Sequence, residues 1–402
     1  MADRAKLWAW WAHRQGLLAR EAISPREVLS RFGWARSVGG ANPYLTLHAR
    51  TDCSRGQAEA AAAEKQIHEL PSARGCTYVL PDNDFALGLA MGQGFGETAQ
   101  VNQAKKYLGY TDAEHERLCD DVLAALGAGP LDPKDLRSAL GDKVRNFGDE
   151  GKKRGTTTAL PLALGSLQAQ GKIRRIAANG RLDTQTYAYA LWSPSPLDGW
   201  SLSPTEAATE LARRYFAWTG AASLAHYLWF SGLGVKASKD ALEPLGLVPL
   251  DGFPDLLALP ESAREYQAFV PPSRPVYRMV SCIDSALLLR RNAADMVAEA
   301  DFQREMVGER GRIVVGGIQD LANNAILDRG RVVGVWEFDP AEGEIVYEAW
   351  TKVDDAMREE IARTEAFIRD ELGDARSFSL DSPASRAPKI AALRGLSSAP
   401  SA

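Results

Sequence analysis

Hydrophobic and polar positions alternate along the chain in a pattern that reads first as helices, over residues 5–20 and 24–33. Ser24 followed by Pro25 places an N-cap and a first-turn proline on the second of them. A loop with Gly39, Gly40, Asn42 and Pro43 follows, and the alternation over 44–50 marks the start of another element. Residues 56–69, rich in Ala, Glu and Gln, read as helix, and the run 76–80 as a strand stopped by Pro81. Thr111 and Glu114 open a helix to Leu126, closed by Gly127 and Gly129. Asp132 and Pro133 open a short helix to Leu140. A basic loop over 143–154 leads to a helix over 156–170, ended by Gly171. A hairpin over 172–192 comes next, with Asn179 and Gly180 as its turn.

After a Ser/Pro linker at 193–196 the order repeats. Ser203 and Pro204 start a helix to about Trp218, Ser223 caps a short helix through Phe230, and 238–245 gives a third. Residues 247–259 read as a hairpin around Asp251 and Gly252. From Pro271 the texture changes to strands over 311–315, 325–327, 331–338 and 344–350, then a helix over 354–372. Helix, helix, helix, hairpin is the order of a winged helix. The expected fold is therefore α+β, with three tandem winged-helix units followed by a β-rich C-terminal unit carrying a terminal helix. Their bounds are 1–110, 111–195 (with a basic wing), 196–262 and 263–381, with 382–402, rich in Ser, Ala and Pro, as a disordered tail.

Composition narrows the function classes. The 402 residues are 45% hydrophobic and 25% charged, with a formal charge of −5, which argues against wholesale coating of nucleic acid but not against a local basic face. No apolar run approaches the roughly 18 residues of a membrane span, and the first residues lack the features of a secretion signal. The expected location is the cytoplasm. Cys53, Cys76, Cys119 and Cys282 are scattered, and the five histidines show no metal-ligand spacing. The glycine run Gly92, Gly94, Gly96 lacks a phosphate-loop lysine and reads as a loop. No metal and no cofactor are expected, and a monomer is favoured.

The densest basic run is Lys143, Arg145, Lys152, Lys153, Arg154, Lys172, Arg174, Arg175 and Arg181. With Thr156 and Thr157 at an expected helix start, these residues are the candidates for contact with the phosphates of double-stranded DNA. The tryptophans at 8, 10, 11, 218 and 229 fall in helical segments and read as core, whereas Trp34 and Tyr44 bracket a Gly/Asn loop and are candidates for stacking on a flipped base.

Four stretches, in order, resemble one family. They are the run from Pro43 and Tyr44 to Arg50; Arg74 and Gly75 leading to Pro81; Leu211 to Tyr215 with 220–233; and Asp328, Arg329, Gly330 leading to Trp336. The family is the tandem winged-helix group that includes the AlkZ-type and YcaQ-type DNA glycosylases, and the likeness covers roughly residues 24–373. It implies three winged helices around a channel for duplex DNA and metal-independent excision of alkylated or crosslinked bases. It also implies a catalytic Gln-x-Gln or Gln-x-Asp just after the helix that ends near Phe32. Here that place reads Trp34, Ala35, Arg36, Ser37, with no carboxamide or carboxylate in either register. The pocket candidates are accordingly Trp34, Arg36, Asn42, Tyr44 and His48. Gln168-Ala169-Gln170 spells the motif in the wrong context, since residues two apart lie on different faces of a helix. The alternative is a catalytically inactive DNA-binding or damage-sensing protein, or a winged-helix module that docks protein.

Overall fold

The computed structural model describes residues 3–308 and 311–397. After α1 (Arg4–Arg14), α2 (Pro25–Phe32) opens on Ser24, which exchanges hydrogen bonds with Glu27 in a reciprocal cap. Gly33, at φ 107°, turns the chain out of the helix into β1 (Ala35–Arg36). Next come α3 (Asn42–Thr51), α4 (Arg55–Ala63), β2 (Ile67–Pro71) and β3 (Thr77–Pro81). The strands form an antiparallel sheet in the order β1-β3-β2, with Val79 between Ala35 and Glu69. Residues 44–50 thus lie inside a helix whose residues from Asn42 to Arg50 are all buried, so its polar positions do not mark a solvent face.

Two helices that the pattern did not announce follow, α5 (Phe85–Gly92) and α6 (Gly96–Leu108), flanking the glycine run. Val101 and Ala104 of α6 pack with Leu118, Val122 and Leu160, so α6 shares a core with the helices that follow it. The second unit continues with α7 (Asp112–Leu126), α8 (Pro133–Leu140), α9 (Gly148–Lys153), α10 (Leu160–Ala169), β4 (Ile173–Ala177) and β5 (Tyr187–Leu191). The expected helix over 156–170 starts later, at Leu160, because Pro161 suits a first helical turn and cannot sit deeper in a helix. Asn179 and Gly180 do not make a tight two-residue turn. The strands end at Ala177 and restart at Tyr187, and the loop between them folds back so that the Leu182 amide donates to the Tyr44 hydroxyl at 2.8 Å.

The third unit holds α11 (Pro204–Thr219), α12 (Leu224–Ser231), α13 (Val235–Leu242), β6 (Val248–Leu250) and β7 (Phe253–Ala258). Ser203 and Ser223 cap as expected, while the third helix runs three residues earlier than its pattern indicated. Each unit pairs a short segment against its hairpin: β1 against β3, Leu131 against Tyr189, and Ala222 against Leu257. The order helix, short pairing segment, helices, hairpin therefore recurs three times.

The last unit comprises α14 (Pro260–Ala268), β8 (Tyr277–Val280), α15 (Ser285–Leu288), the hairpin β9 (Glu305–Gly308) and β10 (Gly311–Val314), and β11 (Asn324–Asp328). Then come β12 (Arg331–Asp339), β13 (Glu344–Ala349), α16 (Asp355–Phe367) and α17 (Pro383–Ser397). Four strands form one antiparallel sheet in the order β13-β12-β11-β8. The fold is α+β, and no described helix is long and apolar enough to cross a membrane.

Two contacts tie the chain ends to this last unit. Of the tail expected to be disordered, Pro383–Ser397 instead forms α17, because Ile390 and Leu393 bury one face against the sheet and Lys389 pairs with the buried Glu337 at 2.5 Å; 398–402 lie outside the described residues. Trp8, Trp10 and Trp11 of α1 join the same core as Val280 and Val335, and Trp8 Nε1 donates to the Asp295 carbonyl at 2.7 Å. A Cβ at Gly330, in the β11–β12 turn at φ 83°, would overlap the Trp8 carbonyl oxygen. Gly330→Ala is expected to cost upwards of about 1 kcal/mol, from backbone strain together with that overlap, read as a lowered urea midpoint.

Candidate nucleic-acid interface

The loop after α2 is built differently from its expectation. Trp34 is only 2% exposed; its ring meets Trp218 and Tyr78 edge-on and its Nε1 donates to Asp84 Oδ2 at 2.7 Å. A base cannot stack on it. Tyr44 is likewise buried, its hydroxyl donating to Glu59 at 3.0 Å, and burial raises its pKa. Asn42 is buried and donates to the Arg36 carbonyl at 2.7 Å. His48 stacks flat on Phe367, ring centres 3.9 Å apart, away from the loop. Of the five pocket candidates, Arg36 alone lines the largest described cleft; its guanidinium donates to the Thr77 carbonyl at 2.6 Å and lies over Tyr78.

Burial pushes His48 down to about 4, against partial opposition from Asp52, while Arg20 and Arg363 add to the lowering. Between that value and the ordinary 6.5 the unfolded chain binds a proton that the folded chain does not. Stability contributed by neutral His48 is thus complete above about 6.5 and is lost as pH falls towards 4. His48→Phe, which keeps a ring on Phe367, is expected to flatten the pH dependence of the urea midpoint in that window.

The basic residues divide into two sets. Lys143 pairs with Asp121 at 2.5 Å, Lys152 with Asp149 at 3.2 Å, and Lys153 and Arg154 with Glu150 at 3.7 and 2.8 Å. Arg145 is spent on Glu114 and the carbonyls of Leu108 and Gly109, fastening α6 to α7. Thr156 and Thr157 precede α10 without capping it: the Thr156 amide donates to Gly151 and the Thr157 carbonyl accepts from Phe147. Arg181 pairs with Asp183 at 2.6 Å. By contrast, Lys172 and Arg174 have no ion-pair partner among the described residues, and Arg175 holds Glu69 only at a stretched 3.4 Å.

Three clefts follow one another along the sheet of the first unit. The largest, about 720 Å³, gathers Arg36 and Arg74 from the first unit, Trp229 from α12, and Arg291 and Asp320 from the last unit. Arg74 and Arg291 both lie over the Trp229 ring, at 4.2 and 5.2 Å. The second, about 530 Å³, holds Thr77, Arg137, Gln168 and Arg175; the third, about 470 Å³, holds Glu69, Arg174, Arg175, Arg181 and Tyr187. Thr77, whose carbonyl anchors Arg36, links the first to the second, and Arg175 is shared by the second and third. Seven guanidiniums thus border this run of clefts. Arg137 and Arg291 carry no signal in the pattern because they are far apart in sequence, and Trp229, expected in the core, is half-buried and lines the cleft; Arg74 was visible as part of a motif, without a role. Gln168 is buried, its carboxamide nitrogen without a partner among the described residues, whereas Gln170 is exposed, so the pair does face opposite ways.

Comparison with known proteins agrees with this architecture. A family model described as DNA glycosylase AlkZ-like matches residues 35–378. Among solved structures, the DNA glycosylase AlkZ of Streptomyces sahachiroi superposes with a TM-score of 0.68 at 19% identity, covering 93% of this chain and 98% of that one, a likeness of fold. No curated protein sequence matches. With more than three quarters of its length inside that match, the chain belongs to the AlkZ-like DNA glycosylase family.

Proposed function

We propose that this chain is a duplex-DNA-binding protein of base-excision repair, with its three repeated units acting as winged helices around the run of clefts. The observation that carries the reading is the border of arginines on those clefts in a chain of net charge −5: cationic side chains are concentrated where three units meet. In this arrangement Arg36 and Arg74 grip backbone phosphate, and the wing residues Lys172 and Arg174 extend the grip. A titration of duplex DNA over salt tests it. Affinity falling steeply with salt is expected; a flat response removes phosphate-driven binding and with it the reading.

A second reading is favoured by one specific feature. The residues at 35–37, where the family motif would stand, are Ala, Arg and Ser. A guanidinium beside a developing oxocarbenium ion is repulsive, and alanine offers no dipole. On this reading the protein recognises damage without excising it. Incubating the protein with duplex DNA carrying an N7-alkylated purine separates the two: released base supports the enzyme, and tight binding without release supports the sensor.

A further inference from the structure

Cleavage of an N-glycosidic bond calls for a negative or strongly dipolar group beside the sugar and a positioned water. The loop after α2 supplies neither. We propose that Glu69, on β2, provides the missing carboxylate and acts as general base in the cleft between β2 and β4. This rests on the repair reading above and names the residue that would perform its chemistry.

Glu69 lies against the stretch where the motif would stand. Ser37, at the edge of the stretch where the motif would lie, donates its hydroxyl to Glu69 Oε2 at 2.6 Å. The family's place for chemistry is therefore in direct contact with a carboxylate carried two strands away in the same small sheet, on β2. The Glu69 side chain is 10% exposed. Glu69 lines the 470 Å³ cleft, a volume suited to a small ligand or an extruded nucleotide. The neighbouring carboxylates are committed elsewhere. Asp84 is 1% exposed and held by Trp34 and Arg214, each at 2.7 Å. Glu59 is bound to the Tyr44 hydroxyl and Arg55, and Asp183 to Arg181.

The two carboxylate oxygens of Glu69 are held differently. Oε2 accepts from Ser37, while the Tyr187 hydroxyl 3.3 Å away donates at the shorter 2.7 Å to the Thr184 carbonyl. Among the described residues Oε1 has only the stretched contact to Arg175 at 3.4 Å, which orients the carboxylate and leaves capacity for a water. Arg174, without an ion-pair partner, and Arg181 border the same cleft and suit the phosphates flanking an extruded nucleotide. Arg36 lines the other, larger cleft, its guanidinium held on the Thr77 carbonyl and the Tyr78 ring.

The step balances as hydrolysis. Glu69 Oε1 takes a proton from the water while its oxygen bonds to C1′ of the deoxyribose. The C1′–N bond breaks and its electron pair goes to the purine. An N7-alkylated purine is cationic beforehand and leaves neutral without a proton donor. The sugar retains a hydroxyl at C1′, and the proton passes from Glu69 to solvent.

Single-turnover release from a duplex bearing one N7-methylguanine tests the proposal, with DNA affinity and thermal midpoint measured on the same proteins. Glu69→Gln keeps the shape and the acceptor for Ser37. It is expected to slow release by about 100-fold or more with affinity unchanged within about threefold. Ser37→Ala leaves the carboxylate in place but less well oriented, and a fall of about tenfold is expected without loss of thermal midpoint. If the wild-type protein releases base and Glu69→Gln matches it within about threefold, Glu69 is a wing-to-sheet tie only and the proposal is overturned while the repair reading stands. If the wild-type protein binds the duplex and releases nothing, the enzyme reading falls and takes this role with it.

Discussion

Asp284→Ala is expected to destabilise the protein by about 3–5 kcal/mol, the range for breaking a buried ion pair from one side. Arg50 and Asp284 are both fully buried, and the contact is two-pronged: one guanidinium nitrogen reaches Oδ2 at 2.9 Å and the other Oδ1 at 2.8 Å. The same carboxylate accepts the Thr46 hydroxyl at 3.0 Å and the Ala286 amide at 2.9 Å, which starts α15. Burial alone would raise the pKa of Asp284, but Arg50 and these donors hold it below the usual carboxylate value. Alanine would leave the Arg50 guanidinium buried with only the Gln15 and Thr46 carbonyls and two polar side chains as partners. The pair also joins α3 of the first unit to α15 of the last, so the loss should loosen the whole assembly. Urea denaturation measures it. A loss below about 1 kcal/mol would show that the site relaxes or hydrates at little cost. Removing both charges with apolar residues of similar volume should cost less than removing one.

The second large effect concerns DNA. Lys172→Glu combined with Arg174→Glu is expected to weaken binding of an undamaged duplex by about 100-fold at low salt and to make the salt dependence shallower by about two phosphate contacts. These two cations have no acidic partner among the described residues, so their charge is available to phosphate. Lys152→Ala combined with Lys153→Ala is expected to change affinity by less than about threefold, because Asp149 and Glu150 already face them at the surface. Equal losses in the two double variants would overturn the division between a neutralised face at α9 and an active face at β4. Fluorescence anisotropy across a salt series distinguishes the cases.

That division shows where pattern reading succeeds and where it stops. As a run of letters, residues 143–181 form one basic block. In the fold, α9 turns its lysines onto its own first-turn acids, while β4 carries Arg174 and Arg175 to a cleft with the first unit. Pairing depends on which residues meet across units, and spacing along the chain does not encode that. The stacking role expected of Trp34 failed for a similar reason. Next to Gly33 and a polar loop it looked accessible, but Trp218 from α11 and Tyr78 from β3 close over it. The tail failed by composition: a Ser/Ala/Pro-rich segment was read as disordered, yet Ile390 and Leu393 suffice to anchor α17 once the sheet is there to receive them.

The sequence by itself determined the local grammar of this protein. Ser24, Thr111, Ser203 and Ser223 start helices because their side chains satisfy backbone amides within three residues. The Asp251–Gly252 and Arg329–Gly330 turns are equally local, as is the threefold recurrence of helices and hairpins, and the ordered motifs carried the family. The tertiary structure alone decided the site. It closed Trp34, Tyr44 and His48 into the core and placed Arg36 and Arg74 beside Trp229. It set Glu69 against Ser37, joining residues that are far apart in the chain. The physical reason is range: caps and turns act over a few residues, whereas burial and charge pairing depend on which surfaces the folded units bring together.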